Sequence, residues 1–330
     1  MKDNFKEAAR ALAQKVAAVR TPASLVFPLF SDLHAAAADA EAVTRLCEML
    51  ALITDAVSPD AVVNLGDNLT MLGRRQHITN EKLKATLTAL FDRVAEAAKR
   101  PVLLINGNHD GIGTDFFKAE LWNELTKEKY DGGLARYHTD GCYYYVDFPS
   151  SATRFVFLSI PYGSDIEAEH PTPLWAFGKT QLAWLEKVAL DTEYDVLLFS
   201  HVPFYYEYRE DAEAMLEVWN GHDTATSYVG ALCGWIEDVE EAARIIKASG
   251  RVKVCLSGHM HDEELWLAGE KRGEDKNPLP CPQYVTTRPV MPETADKTGI
   301  AIDVPVWVPE RKQLYIFRLG DGEDRVLSLG

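Results

Sequence analysis

The chain has 330 residues, and its 34 lysines and arginines against 50 aspartates and glutamates give a formal charge of −16. Nucleic-acid binding depends on Lys and Arg that neutralise backbone phosphates, so this charge disfavours a nucleic-acid scaffold. Hydrophobic residues make up 47% and charged residues 25%, which is typical of a folded globular protein and leaves little room for long disordered tracts.

The N-terminal segment predicts an amphipathic helix over residues 4 to 20. Its apolar side chains recur at steps of three and four: Phe5, Ala8, Ala9, Leu12, Val16 and Val19. This face is mostly Ala and Val, too weak for membrane insertion, so we expect it to dock on the body of the protein. We therefore divide the chain into a docked helix, residues 1–22, and one large domain, residues 23–330.

Apolar runs of strand length then alternate with helical patterns. The runs are residues 24–30, 61–65, 102–105, 155–160, 196–199 and 252–256. Between the early runs, helical faces are marked by Val43, Leu46, Cys47, Leu50 and Ile53, and by Leu83, Leu87, Leu90, Val94 and Ala97. Strands that alternate with helices predict an α/β fold with parallel pairing and helices over the sheet faces.

The last third of the chain changes character. Prolines and glycines punctuate it, and residues 300–308 and 313–318 look like two strands joined by a turn, so we expect an antiparallel finish. Before it, residues 178–188 predict a structural helix with Leu182, Leu185 and Val188 on its apolar face.

Cysteine usage and the absence of long apolar runs bear on location. The five cysteines are far apart and never form a C-x-x-C pair, so neither a disulfide framework nor a thiolate zinc site is indicated. No apolar leader precedes Lys15 and Arg20, and no run reaches the ~20 apolar residues of a bilayer span. We expect a cytoplasmic protein without a membrane partner, and the oligomeric state stays open.

Polar residues with metal-ligand chemistry follow five of the six predicted strands. They are Asp32 and His34, Asp67 and Asn68, Asn108 to Asp110, His201, and His259 and His261. In open α/β sheets, functional residues lie just past the carboxyl ends of strands.

Taken singly, each of these segments has a simpler explanation. A D-x-H pair is more often a loop carboxylate beside a surface histidine, Gly66-Asp67-Asn68 alone is a turn, and His201 could be a histidine satisfied at a strand edge. Five such segments at one edge of one predicted sheet are poorly explained by packing or turn propensity, so the joint pattern predicts a metal site.

The ordered blocks D-x-H (Asp32, His34), G-D-N (66–68), G-N-H-D (107–110), His201 and G-H-x-H (258–261) resemble those of the calcineurin-like metallophosphoesterases. The resemblance spans residues 25 to about 262. It implies a four-layer α/β/β/α sandwich of two stacked mixed sheets, with a dinuclear metal centre at the strand ends.

The resemblance also implies a ligand set. Asp32, His34, Asp67 and His261 would hold one metal, and Asp67, Asn108, His201 and His259 the other, with Asp67 shared. Carboxylate, imidazole and amide ligands without sulfur suit Mn, Fe or Zn, and four histidines disfavour Mg. Two such ions can activate a bridging water as the nucleophile and polarise phosphoryl oxygens.

His109 would lie near the substrate without binding metal and protonate the leaving oxygen or steady the phosphate, as the resemblance implies, with Asn108 also near the substrate. Asp110 could accept a hydrogen bond from the His109 ring and fix its tautomer, or merely cap a turn. Purple acid phosphatases have a tyrosine where this chain has Thr70 and lack His34, so we do not expect a tyrosinate–ferric centre.

Two further segments could choose the substrate. Arg74, Arg75 and His77 could clamp a phosphate or simply begin a solvated helix. An insertion at about residues 203–250 carries tyrosines and tryptophans that could line a pocket or form a satellite core.

The function that follows is hydrolysis of a small-molecule phosphoric ester, with monoester and diester substrates both open. The alternatives are a non-catalytic scaffold that kept the fold and lost the metals, and a nuclease acting on short single strands.

Overall fold

Two mixed sheets form the centre of the computed structural model. The structure describes residues 2–70, 79–107, 109–110, 119–138, 142–159, 177–204, 238–270, 278–291, 294 and 297–330. The first sheet has the strand order β14-β13-β12-β2-β3-β4, with β1 paired to β12. Its strands are β1 (Leu25–Val26), β2 (Leu29–Phe30), β3 (Val62–Asn64), β4 (Val102–Leu104), β12 (Ala301–Val308), β13 (Gln313–Gly320) and β14 (Arg325–Ser328).

The second sheet has the strand order β10-β11-β9-β8-β7-β6-β5. Its strands are β5 (Ala135–Tyr137), β6 (Tyr144–Phe148), β7 (Thr153–Leu158), β8 (Asp195–Ser200), β9 (Val252–Ser257), β10 (Glu264–Trp266) and β11 (Gln283–Val285). Strands β7, β8, β9 and β11 run parallel, and β6 and β10 pair antiparallel at either side.

Helices cover the outer faces of both sheets. They are α1 (Lys2–Val19), α2 (Glu41–Val57), α3 (Asn80–Ala98), α4 (Ala119–Thr126), α5 (Lys179–Trp184) and α6 (Val239–Ser249). One hydrophobic cluster joins α1 to α4 with the first sheet, a second joins α5 and α6 with the second sheet, and a third lies between the sheets. These three apolar layers confirm the four-layer α/β/β/α sandwich.

The apolar face of α1 packs on α2 and β13. Phe5, Ala9, Leu12 and Val16 are each at most 6% exposed, whereas the polar residues between them face outwards. Among the described residues, no helix is long and apolar enough to cross a membrane.

The apolar run at residues 24–30 forms two short strands rather than one. Pro28 has no N–H for a ladder, and the strand is interrupted there. Leu25 and Val26 pair antiparallel with β12, whereas β2 pairs with β12 at Leu29 alone and adds β3 as a parallel partner. The break lets β2 begin the parallel part of the sheet.

The C-terminal strands form the predicted antiparallel pair. β12 and β13 are in register from Ala301↔Gly320 to Val308↔Gln313, joined by a short 3₁₀ turn at Pro309–Arg311.

The predicted apolar face of the helix at residues 178–188 is wrong at Val188. After Trp184 the chain forms a π-helical turn over Leu185–Ala189, closed by Leu190 N–H donating to the Leu185 carbonyl at 2.9 Å. The extra residue in the turn rotates the following side chains. Ala189 is therefore buried and Val188 is 45% exposed.

The parallel strands of the two sheets bring the polar segments to one edge. β2, β3 and β4 end at the segments that hold Asp32, Asp67 and His109, and β8 and β9 end at His201 and His259. The backbone ties these ends together, since Asp32 N–H donates to the Gly66 carbonyl and Gly258 N–H to the His201 carbonyl.

Candidate metal centre

Five site residues adopt left-handed backbone conformations that non-glycine residues rarely use. They are Asp32 (φ 58°), His34 (φ 47°), Asp67 (φ 53°), His259 (φ 71°) and His261 (φ 66°). Each such residue costs of order 1 kcal/mol or more, and such strain clusters at functional sites. The turns after β2, β3 and β9 thus use unfavourable backbone to aim side chains inwards.

Glycines next to these residues allow close approach of the turns. A Cβ on Gly107 would overlap the backbone nitrogen and Oδ1 of Asp67, and a Cβ on Gly258 would overlap the Ser31 side chain. Gly66, with φ +95°, packs against the backbone of Gly107 in the same way. The glycines of the G-D-N, G-N-H-D and G-H-x-H segments are therefore required by packing.

Asp32 is fully buried and has one oxygen without a hydrogen-bond donor. His259 N–H donates to Oδ2 at 2.7 Å, whereas Oδ1 has no hydrogen-bond partner among the described residues. Instead, Oδ1 lies 3.4 Å from His261 Nε2 and 3.7 Å from His34 Nε2. Buried polar atoms are normally satisfied, so an orphaned carboxylate oxygen facing two imidazoles points to a cation.

Asp67 repeats this arrangement at the centre of the site. His109 N–H donates to Oδ1 at 2.6 Å, and Oδ2 has no hydrogen-bond partner among the described residues. Oδ2 lies 3.4 Å from His201 Nε2 and 3.7 Å from His34 Nε2. Asp67 therefore faces histidines on both of its sides.

Potential ligand atoms converge in two groups that share Asp67. Within each group the atoms lie within 4.8 Å of one another: Asp32, His34, Asp67 and His261 in one, and Asp67, His201 and His259 in the other. The His34 and His261 Nε2 atoms are 2.9 Å apart. Ligands about 2.1 Å from one ion lie about 3.0–3.4 Å apart at angles from 90° to tetrahedral, so the spacing suits two metal ions.

The backbone fixes the tautomer of His201. Its Nδ1 lies 2.8 Å from the Leu65 carbonyl oxygen, which can only accept, so Nδ1 carries the hydrogen. In the neutral imidazole the lone pair is then on Nε2, which lies 3.4 Å from Asp67 Oδ2. Metal-binding histidines are commonly held by such a second hydrogen bond.

The site has strong internal electrostatics. Burial alone would raise the pKa of Asp32, but the nearby His261 and His34 imidazoles and the charge of His201 hold it well below its usual value. Burial alone would lower the pKa of His201, but the Asp67 and Asp32 carboxylates raise it to about 9. Burial and the neighbouring His201 lower the pKa of His259 to about 3.

The Asp110 carboxylate binds the backbone of two turns, which is closer to the turn-capping alternative than to the His109 partner. Its carboxylate accepts from the backbone N–H groups of Asp67, Asn68 and Gly107 at 2.8–3.0 Å, and from Asn68 Nδ2 at 3.1 Å. The His109 ring is not its partner, because His109 Nδ1 has no hydrogen-bond partner among the described residues. Asp110 thus ties the turn after β4 to the turn after β3.

His109 lies at the rim of the two ligand groups. Its Nε2 is 3.9 Å from Asp67 Oδ2, and its side chain is 22% exposed. Its ring meets the His34 ring edge-on, with centroids 4.6 Å apart. Burial lowers its pKa. The ring lies against the ligand groups on one side and is partly exposed to solvent on the other.

Several predicted residues lie outside the described residues. They are Asn108, Arg74, Arg75, His77 and the aromatic residues of the insertion from Tyr205 to Trp235. Residues 238–250 of the insertion are described and contain α6.

Sequence reasoning missed Arg288, which follows the short strand β11. Its Nε donates to the Asp32 carbonyl at 3.1 Å, and Thr287 Oγ1 donates to the His261 carbonyl at 3.0 Å. β11 is parallel to β9, so its carboxyl end meets the same edge. A search of every strand end would have found it, but β11 has three residues and follows Pro282.

The protein is a four-layer sandwich, and its two ligand groups share one carboxylate. This combination of fold and site is typical of dinuclear metallohydrolases. The family model of calcineurin-like phosphoesterases matches residues 27–263. The chain belongs to the calcineurin-like phosphoesterase family.

Comparison with solved structures agrees on the fold. A dimetal phosphatase from Danio rerio is similar over 94% of this chain and 100% of its own, with 16% identity and a TM-score of 0.57. A purple acid phosphatase from yellow lupin is similar over 94% of this chain and 55% of its own, with 12% identity and a TM-score of 0.48. No curated protein sequence matches the chain.

Proposed function

We propose that the protein is a dinuclear metal-dependent hydrolase of phosphoric esters. The observation that carries the proposal is the pair of orphaned, buried oxygens, Asp32 Oδ1 and Asp67 Oδ2, each facing two histidines. Family membership supplies the class of reaction, and the geometry supplies the place for the ions.

The ligand assignment follows the two groups. Asp32, His34, Asp67 and His261 hold one ion, and Asp67, His201 and His259 hold the other. Asn108 completes the second set on sequence grounds. Oxygen and imidazole ligands without a thiolate suit Mn, Fe or Zn.

Bound ions of this kind lower the pKa of a water and offset the charge of the phosphoryl group. The chain itself then has to position the substrate and move one proton. His109 does the latter: its place at the rim of the ligand groups, with its side chain partly exposed, makes it a candidate to protonate the departing ester oxygen. Arg74 and Arg75 remain candidates for binding the phosphate on sequence grounds.

No phenolate enters this assignment. Thr70 stands where purple acid phosphatases have a tyrosine, and its Oγ1 donates to the His34 carbonyl at 2.9 Å. We expect a colourless protein when it is loaded with Mn, and a purple iron-loaded form would contradict the assignment.

The test is hydrolysis of p-nitrophenyl phosphate and bis(p-nitrophenyl) phosphate by the Mn-loaded protein, with metal content measured on the same sample. We expect turnover and about two ions per chain. A protein that binds no metal and turns over neither ester across Mn, Fe and Zn would be the non-catalytic scaffold.

His109→Ala tests the proton donor. We expect kcat to fall about 10²–10⁴-fold with the metal content unchanged, because the side chain lies outside both ligand groups. The matched control is His138→Ala, which removes a histidine on the loop after β5 that belongs to neither ligand group. Loss of the metals together with activity in the His109 variant would contradict the role.

A further inference from the structure

A cavity of about 830 Å³ lies beside the metal centre. It is enclosed by α1, the first half of α2 and the segment that follows β11, and we name it the α1–α2 cavity. Its wall includes Phe5, Met49, His34, Arg288 and Ile300. A cavity of this size falls within the range of about 300–1,000 Å³ that ligand sites occupy.

The α1–α2 cavity reaches the first ligand group. Among the described residues, its wall includes the ligand candidate His34 but not His109. A group held in the cavity therefore lies next to the first ion position.

Arg288 joins this cavity to the site. Its Nε donates to the Asp32 carbonyl, which anchors the guanidinium beside a metal ligand while the side chain stays partly exposed. The remaining N–H groups of a guanidinium form a planar fork that matches phosphoryl oxygens. Arg288 thus contacts a ligand candidate and also lines the cavity.

We propose that the α1–α2 cavity holds the second ester substituent of a phosphodiester, and that Arg288 binds a phosphoryl oxygen of that substrate. The inference rests on the proposed function and narrows it from phosphoric esters to diesters. In the reaction, the water oxygen bonds to phosphorus, the bond to the leaving oxygen breaks, and that oxygen takes one proton from His109, which is replaced by the proton that the water loses. The second ester bond stays intact, so its substituent needs a space separate from that of the leaving group.

The wall chemistry indicates the kind of substituent. Phe5, Met49 and Ile300 offer an apolar surface for a ring, and Glu41 offers an acceptor for a hydroxyl or amino group. A ring with polar substituents, of nucleoside size, matches both. Phe5 belongs to α1, so the docked N-terminal helix forms part of the substrate site.

The experiment uses three p-nitrophenyl esters with one leaving group: the phosphate monoester, the methyl diester and the thymidine 5′ diester. With the metal-loaded protein, we expect kcat/KM for the thymidine diester to exceed that for the methyl diester about tenfold or more. Faster hydrolysis of the monoester than of both diesters would overturn the inference and leave the proposed function standing. No turnover of any of the three, with metals bound, would instead remove the proposed function.

Variants that fill the cavity locate the substituent. Ala42→Phe, on the cavity wall in α2, should bring the thymidine-to-methyl ratio of kcat/KM close to one. Ala17→Phe places the same ring on the exposed face of α1 and should keep the ratio. If Ala42→Phe does not fold, Thr44→Trp fills the same cavity from an exposed position. An unchanged ratio in a folded, metal-loaded cavity variant would overturn the inference.

Arg288→Met tests the phosphate contact. We expect KM for both diesters to rise about tenfold or more, because a charge-assisted bond to a phosphoryl oxygen is lost. Arg311→Met removes an exposed arginine in the turn before β13 and is the matched control. Equal KM values in the two variants would show that Arg288 does not touch the substrate.

Discussion

Asp67 is the residue shared by the two ligand groups, and its two oxygens face different partners. Oδ1 accepts from the His109 backbone, and Oδ2 faces His201 and His34, one from each ligand group. A replacement for this carboxylate would have to accept the His109 N–H and also face both ligand groups.

Asp67→Asn removes the charge that the two ligand groups share. We expect the metal content to fall from about two ions per chain to one or none, and kcat/KM to fall at least about 100-fold, because an amide is a weak ligand and cannot serve two ions. Metal analysis after gel filtration, together with diester hydrolysis, measures both. Asp55→Asn on the exposed face of α2 is the control, and a fully metal-loaded Asp67→Asn protein would contradict the shared-ligand role.

Gly107→Ala tests the close approach of the turns after β3 and β4. The added Cβ overlaps Asp67 N and Oδ1, so we expect Asp67 to shift and the metal affinity to drop at least about tenfold. Gly250→Ala is the matched control: at φ +63° it strains the backbone, but no atom lies within 4 Å of its Cβ. Calorimetric titration measures the metal affinities. Equal values in the two variants would show that the close packing of the two turns does not position Asp67 for metal binding.

Metal binding should depend on pH through His201. In the metal-free protein its pKa is raised to about 9, and a histidine must lose its proton to bind a metal. The apparent metal affinity should therefore rise by up to about tenfold per pH unit between pH 6.5 and 8.5, with proton release on binding. Calorimetry in buffers of different ionisation enthalpy counts that proton. An affinity independent of pH over this range would contradict the charged state of His201.

Most candidate ligands could be predicted from sequence because each follows a recognisable apolar strand. Asp110 was harder, since its partners are backbone N–H groups from a different turn. Arg288 was missed because β11, which begins with Gln283, forms no apolar run of the kind that marks β3 and β4.

At the level of elements, α1 is stabilised by the packing of its apolar stripe on the body of the protein rather than by intrinsic helix stability. Leu12, 2% exposed, is central to that stripe. Leu12→Ala should lower the free energy of unfolding by about 2–5 kcal/mol through lost burial and the remaining cavity.

Urea denaturation of the metal-loaded protein measures this effect. Gln14→Ala, on the exposed face of the same helix, keeps the backbone and should change stability by less than about 0.5 kcal/mol. A Leu12 variant as stable as the Gln14 variant would mean that α1 is not held by this contact.

Periodicity predicted the type of an element where the apolar run was long. The prediction failed where tertiary contacts decide the geometry. The long strands β7, β8, β9, β12 and β13 were predicted, whereas the short strands β5, β10 and β11 pair through neighbours that the sequence does not reveal. The π-helical turn before β8 was also beyond prediction. Arg154 Nη1 donates to the carbonyls of Val188 and Ala189 there, a contact made across the fold.

At the scale of the molecule, the site exists because two sheets end at one edge. The first sheet supplies Asp32, His34 and Asp67, and the second supplies His201, His259 and His261. Sheet stacking buries the third hydrophobic cluster between them. The order of the ligand candidates along the chain predicted which residues meet. That three of them come from each sheet could be expected only from the fold that the family resemblance implies.

The central claim is that two ions share Asp67. Crystals of the Mn-loaded protein, measured at the manganese absorption edge, test it directly. We predict two anomalous peaks about 3.5–4 Å apart, one against Asp32, His34 and His261, the other against His201 and His259, with Asp67 in contact with both. A single peak, or two peaks of which only one contacts Asp67, would contradict the account.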